Sequence, residues 1–198
     1  CFAYWLQTSG PIAIGRDMRP DSAELAEAFI KGLRLQGREV WDIGQVTSDM
    51  IYFAIGKYDL AGGGVITASH NPGAYNGIKL YREKVTPIGL DSGLDKIRDA
   101  ALVGNVKPES KTLGAYKKRD ISDAWIEHCL KFAPNLKPFR IAIDAGNGMA
   151  GAILPLILPK LPIESKNMYF ELDGTFPNHE ANPQKPARFD KSCFKGKA

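Results

Sequence analysis

The sequence predicts an α/β protein: a three-layer α/β/α domain with a mixed, mostly parallel sheet, followed by the start of a second α/β domain of the same plan. Three observations carry this. Short β-branched runs alternate with longer segments whose apolar residues recur every three or four positions, in the order strand, helix, strand, helix, strand. The first and third runs end in polar turns, where open α/β sheets keep their binding loops. From Phe139 the plan of strand, glycine turn and helix begins again.

Residues 11–15 (Pro-Ile-Ala-Ile-Gly) form the first expected strand, and Arg16-Asp17-Met18-Arg19-Pro20 the turn that ends it. A helix follows from Asp21, an acidic cap, with Leu25, Ala28, Phe29, Leu33 and Leu35 at helical spacing and Gly37 as its stop. Arg38 to Ile43 reads as the second strand, and Thr47 to about Tyr58 as the second helix. Val65 and Ile66, behind the run Gly62-Gly63-Gly64, are a short buried strand. Right-handed crossovers then make these three strands parallel. Asn76-Gly77 is a strong turn signal, so Gly77 to Arg82 should return antiparallel, giving one reversed strand. Asp91 to Ala101 has Leu94, Ile97 and Leu102 on one helical face, and Gly104 to Gly114 is polar and irregular. A further helix, Ile121 to Ala133, carries a broad apolar face of Ile121, Ala124, Trp125, Cys129, Leu130 and Phe132 and ends before Pro134.

The first domain is thus placed at residues 1–134 and the second at 138–198, joined by Asn135-Leu136-Lys137-Pro138. In the second, strand Phe139 to Ile143 leads into Asp144-Ala145-Gly146-Asn147-Gly148 and a helix from Met149. After Pro186 the pattern decays, and a parallel sheet begun at Phe139 needs more strands than the remaining residues supply. The second domain is expected to be incomplete. The chain starts at Cys1 rather than Met, and an upstream segment is expected to be missing.

At 198 residues, 44% hydrophobic and 24% charged, the composition is ordinary globular usage. No run approaches the ~18 apolar residues of a membrane span, and the start lacks the basic flank of a secretory signal. The cytosol is the expected compartment, with no membrane partner. The net charge of +4 comes entirely from the last fourteen residues, which reads as a basic tail rather than a nucleic-acid surface. Three cysteines far apart fit reduced thiols, and His70, His128 and His179 show no metal-ligand spacing.

The chemistry gathers at Gly62-Gly63-Gly64-Val65-Ile66-Thr67-Ala68-Ser69-His70-Asn71-Pro72 with Asn76-Gly77-Ile78-Lys79. Glycines let a backbone come close to an anion, Thr67 to Asn71 offer hydroxyls, an imidazole and an amide, and the turn brings Lys79 to face Ser69. Ser69 is the candidate phosphoryl carrier, Lys79 a proton shuttle or phosphate clamp, and Thr67 and Asn71 phosphate-binding candidates. His70 is next to Ser69 in an extended stretch, so the two side chains should point apart, which suits His70 to a substrate contact better than to a base for Ser69. Arg16 is read as a phosphate contact or, equally, as the partner of Asp17 or Asp21 in an ion pair. Other frames fit less well. Ala68-Ser69-His70 is not the Gly-x-Ser-x-Gly elbow of serine hydrolases, no Gly-Lys-Ser or Gly-Lys-Thr follows the glycines, and Gly146, Gly148 and Gly151 lack the acidic residue of a dinucleotide site.

Thr67-Ala68-Ser69-His70-Asn71-Pro72 resembles the phosphoserine loop of the α-D-phosphohexomutases, the family of phosphomannomutase and phosphoglucomutase. Gly15-Arg16-Asp17-Met18-Arg19 and Asp173-Gly174-Thr175-Phe176-Pro177-Asn178-His179 are similar to further family segments. The resemblance implies a phosphoserine that exchanges its phosphoryl group with a hexose phosphate through a 1,6-bisphosphate, a glucose 1,6-bisphosphate-type activator, and Mg2+ held by the seryl phosphate of Ser69 and three aspartates. It leaves the oligomeric state open and leans toward the phosphomannomutase/phosphoglucomutase branch over the glucosamine branch. The sequence also departs from that pattern. No Asp-x-Asp-x-Asp occurs, and the Tyr-Asp-Ile-Arg-Gly segment is absent before Ile12. Negligible turnover is therefore expected of this chain alone, and a non-catalytic phosphosugar-binding module that keeps the serine loop is the alternative.

Overall fold

The computed structural model describes residues 1–104, 109–182 and 184; the basic tail, the stretch after Pro186 and Cys193 lie outside them. Eight strands and six α-helices are present among the described residues. In chain order they are α1 (Phe2–Trp5), β1 (Ile12–Arg16), α2 (Ser22–Leu35), β2 (Val40–Gln45), α3 (Ser48–Lys57), β3 (Gly62–Ile66), β4 (Ile78–Arg82), β5 (Thr86–Pro87), α4 (Leu94–Leu102), β6 (Tyr116–Lys118), α5 (Ser122–Leu130), β7 (Phe139–Asp144), α6 (Ala150–Ile157) and β8 (Ile163–Met168).

A six-stranded sheet runs in the order β5-β4-β3-β1-β2-β6. β1 pairs parallel with β2 and β3, β6 joins β2 parallel, and β4 is the reversed strand, with Val65 opposite Lys79. Period-two alternation splits the strand side chains between two cores. Ile12, Ile14, Ile66 and Leu80 pack with α1, α2 and Ile97 of α4 on one face. Ala13, Val65 and Tyr81 pack with Met50, Ile51, Ala54 and Ile55 of α3, with Ile121, and with Ile153 of α6 on the other. Ile12, Ile14, Ile51 and Ile66 are almost wholly removed from water, each worth roughly 1.5–3 kcal/mol. The mixed three-layer sheet is the fold class the sequence predicts.

The helices end where the chemistry tells them to. α2 has Glu24 in its first turn and Arg34 in its last, opposite in sign to the local helix dipole. It closes in a left-handed glycine, Gly37 at φ +75°, with Arg38 N–H bonded to the Leu33 carbonyl and Gly37 N–H to that of Arg34.

Three expectations need correction. The glycine run is not a loop approaching an anion: Gly62, Gly63 and Gly64 are the first three residues of strand β3, which is buried throughout. A Cβ on Gly63 would lie 3.0 Å from the Ala13 carbonyl oxygen and 3.0 Å from Ile55 Cδ1, and one on Gly64 3.1 Å from Phe29. The glycines are there because helices close on both faces of this strand. The second correction concerns α5, which stops at Leu130 and buries Ile126, leaving Phe132 77% exposed against the ring of His128. Third, the chain carries elements the periodicity did not announce: α1, the short strands β5 and β6, and β8, which pairs parallel with β7 over six residues in a separate two-stranded sheet.

Candidate active site

β3 ends in the middle of the sheet, flanked by β1 and β4, so the segment after Ile66 is held on both sides. Thr67 N–H bonds the Gly77 carbonyl at 2.9 Å, fastening the loop to the turn before β4. Thr67 Oγ1 accepts the Ser69 N–H at 2.9 Å, and the Asn71 backbone and side-chain amides both donate to the Ala68 carbonyl, at 3.0 and 2.9 Å. These bonds turn the backbone at Ser69 into the left-handed region, φ +53°, a conformation that costs a non-glycine residue about 1–2 kcal/mol. The consequence is an exposed serine whose Oγ accepts a hydrogen bond from Lys79 Nζ at 2.6 Å. Lys79 is half-buried on β4, so the ammonium is held out from the sheet itself.

The loop is clamped from outside by Arg19. Its guanidinium has five N–H groups and uses all of them. Nη1 donates to the carbonyls of Pro72 at 2.8 Å and Tyr75 at 2.9 Å, Nη2 to those of Ser69 at 2.9 Å and Asn71 at 2.8 Å, and Nε to Asp17 Oδ2 at 3.2 Å. The side chain is 1% exposed. Asp17 in turn accepts the Arg19 backbone N–H and the Ser22 hydroxyl, and Asn76 Nδ2 donates to Ser22 Oγ at 3.0 Å. The buried charge pair is therefore fully hydrogen-bonded, the condition under which such a pair is tolerated.

Of the residues singled out in the sequence, Ser69, Lys79, Thr67 and Asn71 meet in this loop, with the Asn71 amide spent on the loop's own backbone. His70 is exposed on the turn with Ser69 rather than in an extended segment, so the strand alternation expected to point the two side chains apart does not operate here. Arg16 lies elsewhere. It faces Asp42 Oδ1 at 3.8 Å, rather than Asp17 or Asp21, and lines a separate cleft of about 310 Å³ with Tyr116 and Lys118. The arginine at the serine loop is Arg19, three positions on. The sequence held Arg19 only as the end of the segment Gly15-Arg16-Asp17-Met18-Arg19 and gave it no role, because its partners are main-chain carbonyls some fifty positions away.

Ser69 and Thr67 line a cleft of about 270 Å³ with Asp17, Thr47, Gly148 and Phe176 among its other walls. Ser48 and Met149 also border it, so α3 and α6 both begin at this cleft. Helix N-termini favour anions. Thr47 Oγ1 is buried without a hydrogen-bond partner among the described residues. On the second sheet's side, His179 Nε2 lies 3.0 Å from Asp144 Oδ1, and its Nδ1 3.0 Å from the Glu180 carbonyl. Those contacts, the Glu180 carbonyl first, hold the imidazole pKa above its ordinary value. No group of three or more His, Cys, Asp or Glu is placed to hold a metal ion among the described residues, and no helix there is long and apolar enough to cross a membrane.

This architecture and loop have counterparts among known proteins. The family model for phosphoglucomutase/phosphomannomutase, alpha/beta/alpha domain I, matches residues 1–102, and that for domain II matches residues 123–197. The chain belongs to the phosphoglucomutase/phosphomannomutase family. Among individual relatives, it is 42% identical over 183 residues to a protein named phosphohexose mutases from Xanthomonas campestris, covering 91% of this chain and 41% of that one. It is 38% identical to a phosphomannomutase of Salmonella typhimurium, covering 88% and 40%. The crystal structure of a phosphoglucomutase/phosphomannomutase family protein from Burkholderia thailandensis superposes with a TM-score of 0.78 at 26% identity, over 90% of this chain and 40% of that one. The chain thus spans about two fifths of the length of the relatives it matches.

Proposed function

We propose that this chain carries the phosphoryl-accepting serine of a phosphohexomutase, an intramolecular phosphotransferase that interconverts hexose 1-phosphate and hexose 6-phosphate, with Ser69 as the carrier. The observation that carries the reading is the 2.6 Å hydrogen bond from Lys79 Nζ to the exposed Ser69 Oγ. Phosphoryl transfer asks little covalent work of a protein and much positioning and charge stabilisation. In transfer from the serine, a sugar hydroxyl attacks phosphorus, the P–Oγ bond breaks and the new P–O bond forms. Lys79 gives a proton to the departing Oγ and takes the one the sugar hydroxyl loses, so the site ends with the proton count it began with. The reverse step, from a hexose 1,6-bisphosphate to Ser69, reloads the serine. A seryl phosphate carries about −1.5 to −2 charge at neutral pH, offset here by Lys79 and by the starts of α3 and α6.

The residues described do not fit the magnesium site that the family implies. Asp17, the carboxylate on the cleft wall, is already engaged by Arg19 and Ser22, and no acidic cluster accompanies it among the described residues. The proton and phosphoryl movements are therefore assigned to this chain's own groups. Intact-mass measurement after incubation with glucose 1,6-bisphosphate tests the proposal: one phosphoryl adduct on the parent chain and none on Ser69→Ala is expected. An unmodified parent, or an adduct that survives Ser69→Ala, overturns it.

A further inference from the structure

We infer that the turn Asp173–Phe176 is a latch on the serine loop, acting through Arg19, and that phosphoryl uptake by Ser69 depends on this turn being docked. This rests on the reading of Ser69 as the carrier. The in-plane edge of the Arg19 guanidinium is fully used by four carbonyls and Asp17, which leaves only its flat faces for contact. The guanidinium carbon lies over the Phe176 ring, 5.1 Å from its centroid. An aromatic ring there both attracts the cation and keeps water from the five N–H bonds beneath.

The backbone of the turn is wedged between the two segments it holds. A Cβ on Gly174 would lie 2.6 Å from Arg19 Cα and 3.0 Å from the Met18 carbonyl oxygen, and a Cβ on Gly73 of the serine loop would lie 2.6 Å from the Gly174 carbonyl oxygen. No side chain fits on either side of this seam. The turn is itself built to hold Phe176 in a left-handed conformation, φ +55°, which a bulky residue adopts only under constraint. Phe176 N–H bonds the Asp173 carbonyl, and Asp173 Oδ1 takes both the N–H and the hydroxyl of Thr175. Asp173 N–H bonds the carbonyl of Asn147, a 3% exposed residue whose side chain also links the Glu171 carbonyl and Asn178. A continuous chain of contacts thus runs from the Gly146–Gly148 turn through Phe176 and Arg19 to the carbonyl of Ser69. Phe176 and Gly174 are positioning residues; neither touches Lys79 or the Ser69 hydroxyl in the contacts described.

The test uses the full chain and three variants: Phe176→Leu, which keeps apolar bulk without a π face, Phe176→Tyr, which keeps the face, and Gly174→Ala, which wedges the seam. Amide hydrogen exchange over residues 69–77 and the rate of phosphoryl uptake from glucose 1,6-bisphosphate are read for each, with the thermal melt as the control for folding. In Phe176→Leu, exchange in the loop should rise and uptake should slow by about three- to thirty-fold, the value of a partly desolvated cation–π contact. Phe176→Tyr should restore both, and Gly174→Ala should follow Phe176→Leu. Unchanged loop exchange in Phe176→Leu and Gly174→Ala overturns the latch, and raised exchange with parental uptake overturns the dependence. A parent chain that takes up no phosphate refutes the carrier reading instead, while the exchange arm still decides whether the turn holds the loop.

Discussion

Replacing Arg19 by lysine keeps the charge and removes the fork, and the structure says what that costs. Five acceptors are served at 2.8–3.2 Å by one guanidinium. A lysine has three N–H groups on one nitrogen, so at least two acceptors lose their donor. Hydrogen bonds to charged groups contribute about 1.5–3 kcal/mol each. Ser69, Asn71 and Tyr75 are exposed, so their carbonyls can recover some water, which favours the low end: about 3 kcal/mol for the two bonds. For a chain of this size that is a fall in melting temperature of about 6–12 °C. Urea and thermal unfolding of Arg19→Lys measure it, and the double variant with Asp17→Asn measures the coupling within the pair. Because four of the acceptors lie on one loop, amide exchange over residues 67–77 should rise before the global transition. A variant within about 0.5 kcal/mol of the parent, the ordinary range for a surface substitution, would refute the reasoning that the guanidinium is the clamp.

Lys79→Met should slow phosphoryl uptake by Ser69 by about 10²–10⁴-fold, the usual contribution of a positioned proton donor, while shifting stability by less than about 1 kcal/mol because the contact is at the surface; a mass-resolved time course and a melt check the two together. Gly63→Ala should destabilise by about 1–3 kcal/mol, since its methyl would press on the Ala13 backbone and on Ile55 with helices closed over both faces; the urea midpoint reads this. The folded pKa of His179 is raised by the Glu180 carbonyl and Asp144, so its stabilisation is complete below the unfolded value of about 6.5 and is lost as pH rises through the folded value. The melting temperature should accordingly drop across that window, and His179→Gln should remove this part of the slope; an identical slope in the variant would count against it.

The part of the fold legible in the sequence is the part where burial imposes a period. β1 to β3 with α2 and α3 alternate apolar strands with helical repeats because both faces of the sheet are covered, and the Asn76-Gly77 turn fixed the reversed strand. Where burial is slight the pattern fades. Tyr116–Lys118 is a strand with every residue exposed, legible only from its partner β2, and Ile163–Met168 mixes polar side chains on a two-stranded sheet. The glycine run misled because the same residues serve two ends, approach to an anion and approach of a helix, and only the packing of Ile55, Phe29 and Leu80 around β3 decides which. At the site, Ser69 and Lys79 could be found since the turn length dictates that they face each other. Arg19 and Phe176 stood only within segments similar to the family's, and their roles were not legible, since one binds carbonyls, which every residue has, and the other comes from a turn more than a hundred positions on.

The most direct measurement is peptide mapping of the chain after exposure to glucose 1,6-bisphosphate, locating the phosphoryl group to a single residue. The phosphoryl group is expected on Ser69, and to be lost when Lys79 is replaced by methionine and the exposure is kept short. Phosphate found on Thr67, on another hydroxyl of the chain, or nowhere would contradict the claim that this loop was built to present one serine to one lysine.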